Sequence, residues 1–448
     1  MAKRIQLRKT AEPLLRLWSR QPVRACVCST LLVSMLWTAG VLSRLENFVQ
    51  AKFVDFVGPH LQTSLAGDLA VILADENPQK NGELKEFNET WRRHHGELVE
   101  ALARAGARVV AFDISFRDPA PGDAEFAAAI RRASQGGTRV IVGAEGFEIR
   151  DTRPVPGLST DLRPHISPGE WALLKIGEKS KETGSLRKIS LAEPISAAPS
   201  ARAEVLETRV IPSLALQVLA RHLAGKDPVE IVRTGENHIN LKGPAGRTIY
   251  SIAISPDMKM DIEMVEAADL NRVTRPYHIV WSNRAKAEYL EDNFKGKVVL
   301  IGYRSSDDAH QVPGGSSRQG YEVHASVISN LLLGNYIRSP RPAVLWLAII
   351  AMSIAVAVLH LRFPRSMEKK VSLPALKWIE IRPSISLMTA VVAILYLGLA
   401  FVLYQSRRMV LEFSYPLAAL FIADLLVSPE PAAESSVKEK TMTARAGA

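Results

Sequence analysis

Four apolar stretches punctuate the chain: Ala25 to Leu42 near the start, then Ala343 to Leu361, Ile385 to Tyr404 and Val410 to Val427. Each has about 18–20 residues, the length that crosses a hydrocarbon core of roughly 30 Å. They predict four transmembrane helices, one N-terminal and three C-terminal. Residues 43–342 between them read as ordinary globular sequence.

Inside that segment the period of the pattern changes repeatedly. Leu69–Ala74 is a short unbroken apolar run, the signature of a strand buried on both faces. From Trp91 to Ala105 the apolar positions Leu98, Val99, Leu102 and Ala105 share a helix face, and Gly106 ends the helix. Arg108–Ser115 is a second buried strand. Asp123 opens a helix through Arg132, and Thr138–Gly143 is a third strand. This alternation predicts an α/β domain with a largely parallel sheet and crossover helices. From Phe147 to Pro212 the pattern breaks into short strands and loops, with Trp171–Ile176 one candidate strand. A helix over Ser213–Leu223 is expected to start on Pro212. Residues 225–269 suggest irregular β structure, Lys297–Gly302 a strong buried strand and Glu322–Leu333 a strong helix.

The formal charge of +10 raises the question of nucleic acid, but its distribution points to a membrane. Residues 1–24 carry seven basic side chains against the single acid Glu12. Residues 362–384 carry Arg362, Arg365, Lys369, Lys370, Lys377 and Arg382 against Glu368 and Glu380. By the positive-inside rule both segments are cytoplasmic. Residues 43–342 are then outside, in the periplasm of a bacterial inner membrane, and the polar tail 428–448 is inside. Arg407 and Arg408, in the outer turn, run against the rule. The first span reads as an uncleaved anchor rather than a signal peptide: its basic lead is long and lacks a small-x-small cleavage site. Cys26 and Cys28 lie within it, so the outer domain has no cysteine and must be held by its core.

Trp91-Arg-Arg with His95, the run LVEALARAGARVVAFDISF and Asp123 resemble the first half of the second-type CHASE domain, an extracellular sensory module associated with cyclases and histidine kinases. Ile211-Pro-Ser-Leu-Ala-Leu-Gln resembles its middle. GKVVLIG at 296–302 and GYEVHASVISNLLLGNYI at 320–337 resemble its end. The resemblance runs in order over roughly residues 50–340. It implies a periplasmic domain that senses a ligand or stress. In that family the last span usually leads into a cyclase, kinase or phosphodiesterase. Here residues 428–448 are too short and polar to bury a core. The expectation is therefore a non-enzymatic chain that signals to a partner protein through its helices. A homo-oligomer is expected by analogy. No nucleic acid and no cofactor is implied.

The loop after the strand at Gly302 concentrates polar chemistry: Ser305, Ser306, Asp307, Asp308 and His310, then Gly314-Gly315-Ser316-Ser317. Ligands favour the carboxyl ends of parallel strands. On the functional reading this is a small-molecule or metal site closed by His324. The plainer reading is a polar loop of turn residues. A hydrolase lacks its strand–Gly-x-Ser-x-Gly–helix context. Asp113 ends the second strand, and Asp75 with Glu76 ends the first, so these carboxylates are expected at one sheet edge with Asp307. Alternatively, each closes its own strand-end turn. Arg92, Arg93, His94 and His95 read as a solvated charged face, with anion binding or pH sensing as the functional alternative. In the last span Glu412 and Asp424 are expected near the interfaces, Pro416 as a kink, and Trp346, Trp378 and Tyr404 as interfacial anchors. The rival to a sensor is a scaffold or accessory subunit of an envelope complex that reuses the sensory fold for protein–protein contacts.

Overall fold

A computed structural model describes residues 21–57, 64–85, 87–150, 153–177, 179, 184–186, 188–195, 207–235, 237–255, 257–261, 263–312, 316–337, 342–362 and 383–427. The chain divides into two compact units, residues 51–338 and residues 1–50 with 339–448. The helices are α1 (Gln21–Thr38), α2 (Ser43–Val57), α3 (Arg92–Arg104), α4 (Asp123–Gly136), α5 (Leu214–Ala224), α6 (Ala267–Val273), α7 (Tyr277–Ser282), α8 (Ala287–Phe294), α9 (Gly320–Leu333), α10 (Pro342–Arg362), α11 (Pro383–Arg407) and α12 (Ser414–Val427).

The unit 51–338 is built on a six-stranded sheet: β1 (Leu69–Asp75), β2 (Val109–Ser115), β3 (Arg139–Ala144), β4 (Trp171–Leu173), β5 (Thr274–Pro276) and β6 (Val298–Arg304). Their spatial order is β5-β1-β6-β2-β3-β4, and every pairing is parallel. The unbroken apolar runs now have a physical reason. Alternate residues of each strand feed two different cores. Leu69, Val71, Leu73, Val109, Ala111, Val298 and Leu300 pack with α5 and α9 on one face. Ala70, Ile72, Ala74, Val110, Phe112, Val299 and Ile301 pack with α3, α4, α7 and α8 on the other.

A second sheet is antiparallel, with strands Thr248–Ala253, His238–Lys242, Glu230–Thr234, Glu207–Pro212 and Ala192–Pro194 in that order. Its residues Ile231, Ile239, Leu241 and Ile252 join the core of α5 and α9. Three of its strands occupy the region expected to be irregular. Pro212 does not start α5. It ends the preceding strand, and Ser213 caps the helix by accepting from Leu216 N at 3.4 Å. Polar side chains inside α9 bind the backbone of other segments: Ser329 Oγ accepts from Ala66 N at 2.9 Å, and Asn330 Nδ2 donates to Glu263 O at 2.6 Å.

In the other unit, Val33 of α1, Leu345 and Ile349 of α10, and Tyr415 and Ala419 of α12 form one buried cluster. Ser29 and Ser353 hydroxyls meet inside it at 2.8 Å, and His360 reaches Asp424 at 2.9 Å. Among the described residues, two helices are long and apolar enough to cross a membrane: Pro342–Arg362 and the stretch Met388–Arg407. They become three if α1 is taken with Ser43–Gln50, from which it is bent by 85°. The expected last span is helical only over the 14 residues of α12. At 1.5 Å per residue that covers about 21 Å. One expectation here is corrected. Pro416 falls in the first turn of α12, where its missing N–H breaks no hydrogen bond, so it introduces no kink. Tyr404, expected as an interfacial anchor, is fully buried against protein. Trp346 packs edge-to-face on Trp37, with ring centroids 5.6 Å apart. The basic segments 1–20 and 363–382, Trp378 and the tail lie outside the described residues.

Candidate functional site at the carboxyl edge of the sheet

The chain leaves β1 and β2 toward the face of α3 and α4, but leaves β6, which lies between them, toward the face of α9. Such a reversal opens a crevice at the strand ends on either side of β6. In register, Asp75 of β1 pairs with Arg304 of β6, and Asp113 of β2 with Gly302. The expected carboxylates therefore stand at this edge, one on each side of β6.

Their environments differ. Asp75 is held by Arg304 at 3.5 Å and Lys80 at 3.4 Å, and its backbone is bound by the buried Asn81 amide. Arg304 also donates to Tyr321 Oη at 3.1 Å. Beside this pair, Glu76 accepts from Ser306 N at 2.7 Å. Asp75 is thus a strand-end carboxylate already matched by two cations. Among the described residues, Asp113 has no Lys or Arg within ion-pair reach. It faces His324 Nε2 of α9 at 3.5 Å, and that nitrogen also lies 3.2 Å from Leu174 O. Burial pushes the Asp113 carboxyl above the usual carboxylate range, against the pull of His324; Asp308 pushes it further up, and His310 opposes. His310 Nε2 in turn lies 3.0 Å from Asp308 Oδ1.

Two glycines allow this packing. A Cβ at Gly302 would stand 2.8 Å from the Tyr321 Cβ. One at Gly320 would stand 2.1 Å from Asp308 Oδ2, so the carboxylate rests directly on the first residue of α9. There Gly320 N donates to Asp308 O at 3.0 Å. The helix N-terminus also favours the nearby negative charge.

Of the six candidate residues, Asp113, Asp308, His310 and His324 form one interacting group. Asp75 belongs to a separate ion-paired group. Asp307 is exposed, and its backbone N donates to Ser305 Oγ at 3.3 Å. Gly314 and Gly315 lie outside the described residues. No three His, Cys, Asp or Glu side chains among the described residues are placed to hold a metal ion. Sequence reasoning passed over Arg304, Tyr321, Gly302 and Gly320. The signal for the glycines is their position, one near the carboxyl end of β6 and the other at the start of α9.

The cluster Arg92, Arg93, His94 and His95 is corrected. Only Arg93 is exposed as a solvated face requires; Arg92 and His95 are buried. Arg92 Nε pairs with Asp123 Oδ1 at 3.1 Å, and its guanidinium lies 4.4 Å from the Phe116 ring centroid. His95 Nδ1 and Tyr277 Oη share a hydrogen bond of 2.9 Å, surrounded by Trp91, Phe112, Phe116 and Phe126. Burial, with Arg92 and His94 adding to it, lowers the His95 imidazole to about 3. It stays neutral at physiological pH and is a core residue rather than a pH sensor.

A separate groove of 710 Å³ opens at the β4 edge, floored by Trp171, Val210 and Ile211 and bordered by Arg153, Arg209 and Arg221. Ile195 and Thr208 in its wall flank residues 196–206, outside the described set.

The family model for the CHASE2 domain matches residues 28–360. The chain belongs to the CHASE2 family. The match begins within α1 and ends within α10, so it takes in the whole unit 51–338. CHASE2 domains are sensory extracellular domains, which makes this a sensory-domain protein with candidate membrane spans. No curated protein and no solved structure matches the chain.

Proposed function

We propose that this CHASE2 protein is an inner-membrane sensor that binds its stimulus at the carboxyl edge of the parallel sheet and signals to an associated protein through its helices. The observation that carries the reading is the Asp113–His324 pair. A largely buried carboxyl, 11% exposed and pushed toward its neutral form, stands beside an imidazole, with Asp308 and His310 close by, at a topological switch point. Such a group offers both hydrogen-bond donors and acceptors to a small polar molecule. The CHASE2 domain lies in the periplasm, and the chain is a non-enzymatic homo-oligomer. The topology rests on the basic flanks of the apolar stretches.

The test is thermal melting of the full-length protein in detergent against a library of small polar metabolites, repeated with Asp113→Asn and His324→Gln. The reading predicts a compound that raises the melting temperature of the parent and fails to raise that of either variant. Compounds that shift all three proteins equally would refute the site. A stoichiometric partner that co-purifies equally with parent and variants, with no compound active, would favour the scaffold reading.

A further inference from the structure

The amphipathic sense of α2 is inverted. Over Ser43–Gln50 its polar side chains Ser43, Glu46, Asn47 and Gln50 turn into a cleft of 280 Å³ against Glu412 and Tyr415. Its large apolar side chains point away from the protein, with Leu45 51% and Phe48 45% exposed. A helix on a water-facing surface does the reverse.

The polar side is fixed in place. Glu46 is buried, and its carboxylate accepts from Phe413 N at 2.9 Å and from Ser414 N at 2.5 Å. It thereby satisfies backbone donors at the start of α12 that the helix itself cannot satisfy. Leu45 and Phe48 are therefore held outward by a buried bond on the opposite side.

The direction of the helix identifies what covers them. Ser43–Gln50 is bent by 85° from Gln21–Thr38, with Gly40 at φ +66° in the turn. A helix at right angles to a membrane-crossing helix runs along the membrane surface. The exposed apolar surface is also continuous. Leu31, Leu32, Met35 and Val41 precede Leu45 and Phe48 as exposed apolar residues. Exposed Arg44 flanks the apolar side, where a long cationic side chain reaches headgroups.

We infer that Ser43–Gln50 is an interfacial helix whose Leu45 and Phe48 insert into the lipid leaflet at the outer end of α1, held at that depth by Glu46. This rests on the reading of α1 as a membrane helix and goes beyond the proposed sensor role.

The test uses the full-length chain carrying Cys26→Ala and Cys28→Ala, with single cysteines introduced as Leu32→Cys, Leu45→Cys, Phe48→Cys or Asn47→Cys. Each is nitroxide-labelled and placed in phosphatidylcholine–phosphatidylglycerol nanodiscs. Collision with oxygen is compared with collision with a water-soluble nickel chelate. Positions 45 and 48 are expected to favour oxygen, like position 32, and position 47 to invert that ratio. Nickel access at 45 and 48 with oxygen access at 32 would overturn the inference and leave the span intact. Nickel access at 32 would instead overturn the span reading. Low collision with both reagents at 45 and 48, with dipolar broadening between labels, would assign the surface to a second copy and overturn the inference.

Discussion

Breaking the buried pair between Arg92 and Asp123 is expected to cost far more than its surface position in the sequence suggests. Their side chains are 6% and 3% exposed, with Nε and Oδ1 3.1 Å apart. Removing either one takes away the ion-pair partner of a charge in the core of α3 and α4. Arg92 would keep its bond to Asp118 O at 3.0 Å and the face of Phe116. Asp123 would keep Ser159 Oγ at 2.7 Å and Ala120 N at 3.3 Å. Removal of one partner of a buried pair costs about 3–5 kcal/mol. At about 2 °C per kcal/mol for a domain of this size, Arg92→Met or Asp123→Leu lowers the domain melting temperature by roughly 6–10 °C. The double variant Arg92→Met/Asp123→Leu recovers part of that loss, since no unpaired charge remains buried. The assay is tryptophan fluorescence of the full-length protein during urea unfolding, analysed as a double-mutant cycle. Trp91 reports on the same cluster, packing 4.8 Å from Tyr277. The control is Arg93→Met. Arg93 is 72% exposed and pairs with Glu97 at 3.5 Å, so its loss costs at most about 1 kcal/mol. Equal costs for Arg92→Met and Arg93→Met, or no coupling in the cycle, would refute the reasoning.

His95→Gln should flatten the acid limb of stability: with a folded value near 3 against 6.5 unfolded, native His95 loses stability at up to about 1.4 kcal/mol per unit as pH falls below 6.5; urea midpoints from pH 7 to 4 check this. Asp113 has the opposite sign. Its folded value is raised, so its contribution is complete below the unfolded value of 3.8 and is lost as pH rises through the folded value. Asp113→Asn should therefore gain on the parent as pH rises from 4 to 7 in the same titration. Gly320→Ala forces Asp308 off the start of α9, and should abolish ligand-induced thermal shifts while costing about 1–3 kcal/mol of stability, the range for overpacking. Glu46→Ala removes the acceptor for Phe413 N and Ser414 N, and hydrogen exchange of those amides should quicken by the equivalent of about 0.5–2 kcal/mol.

Strand runs were legible because a parallel strand buried on both faces cannot hide its composition: Leu69–Ala74 and Lys297–Gly302 had one available interpretation. β5 was not legible. Its Thr274-Arg-Pro lies at the sheet edge, where one row of hydrogen bonds suffices and polar side chains cost little. The antiparallel sheet was obscured for a related reason, since its strands bury one face only and read as mixed sequence between Gly225 and Asp269. The site was half legible. Chain order placed Asp75, Asp113 and the 305–310 loop at strand ends, but it could not say that Arg304 would neutralise Asp75 while Asp113 faced an imidazole. That difference depends on which strand inserts between β1 and β2, a long-range fact. The charged cluster at 92–95 misled because polarity suggests solvent, whereas Arg92 and His95 each find a buried partner far along the chain, in Asp123 and Tyr277.

The position of His324 connects the proposed site to the proposed output. It lies on α9, together with Tyr321, which binds Arg304 of the second ion-paired group. On the proposed reading, a ligand that changes the Asp113–His324 contact acts on a helix that also holds Arg304 through Tyr321. α9 ends at Leu333, and only residues 334–341 separate it from Pro342, the first residue of α10. The other covalent link between the two units runs through α2, whose polar face is tied to the start of α12 by Glu46. On the proposed reading the signal leaves the sheet edge through α9, while Glu46 ties α2 to the start of α12. A sensor of this design needs no large rearrangement. It needs one helix that carries the contacts near its N-terminus and precedes a candidate span in sequence; His324 and Tyr321 lie in the first turns of α9, and Pro342–Arg362 is the next described helix.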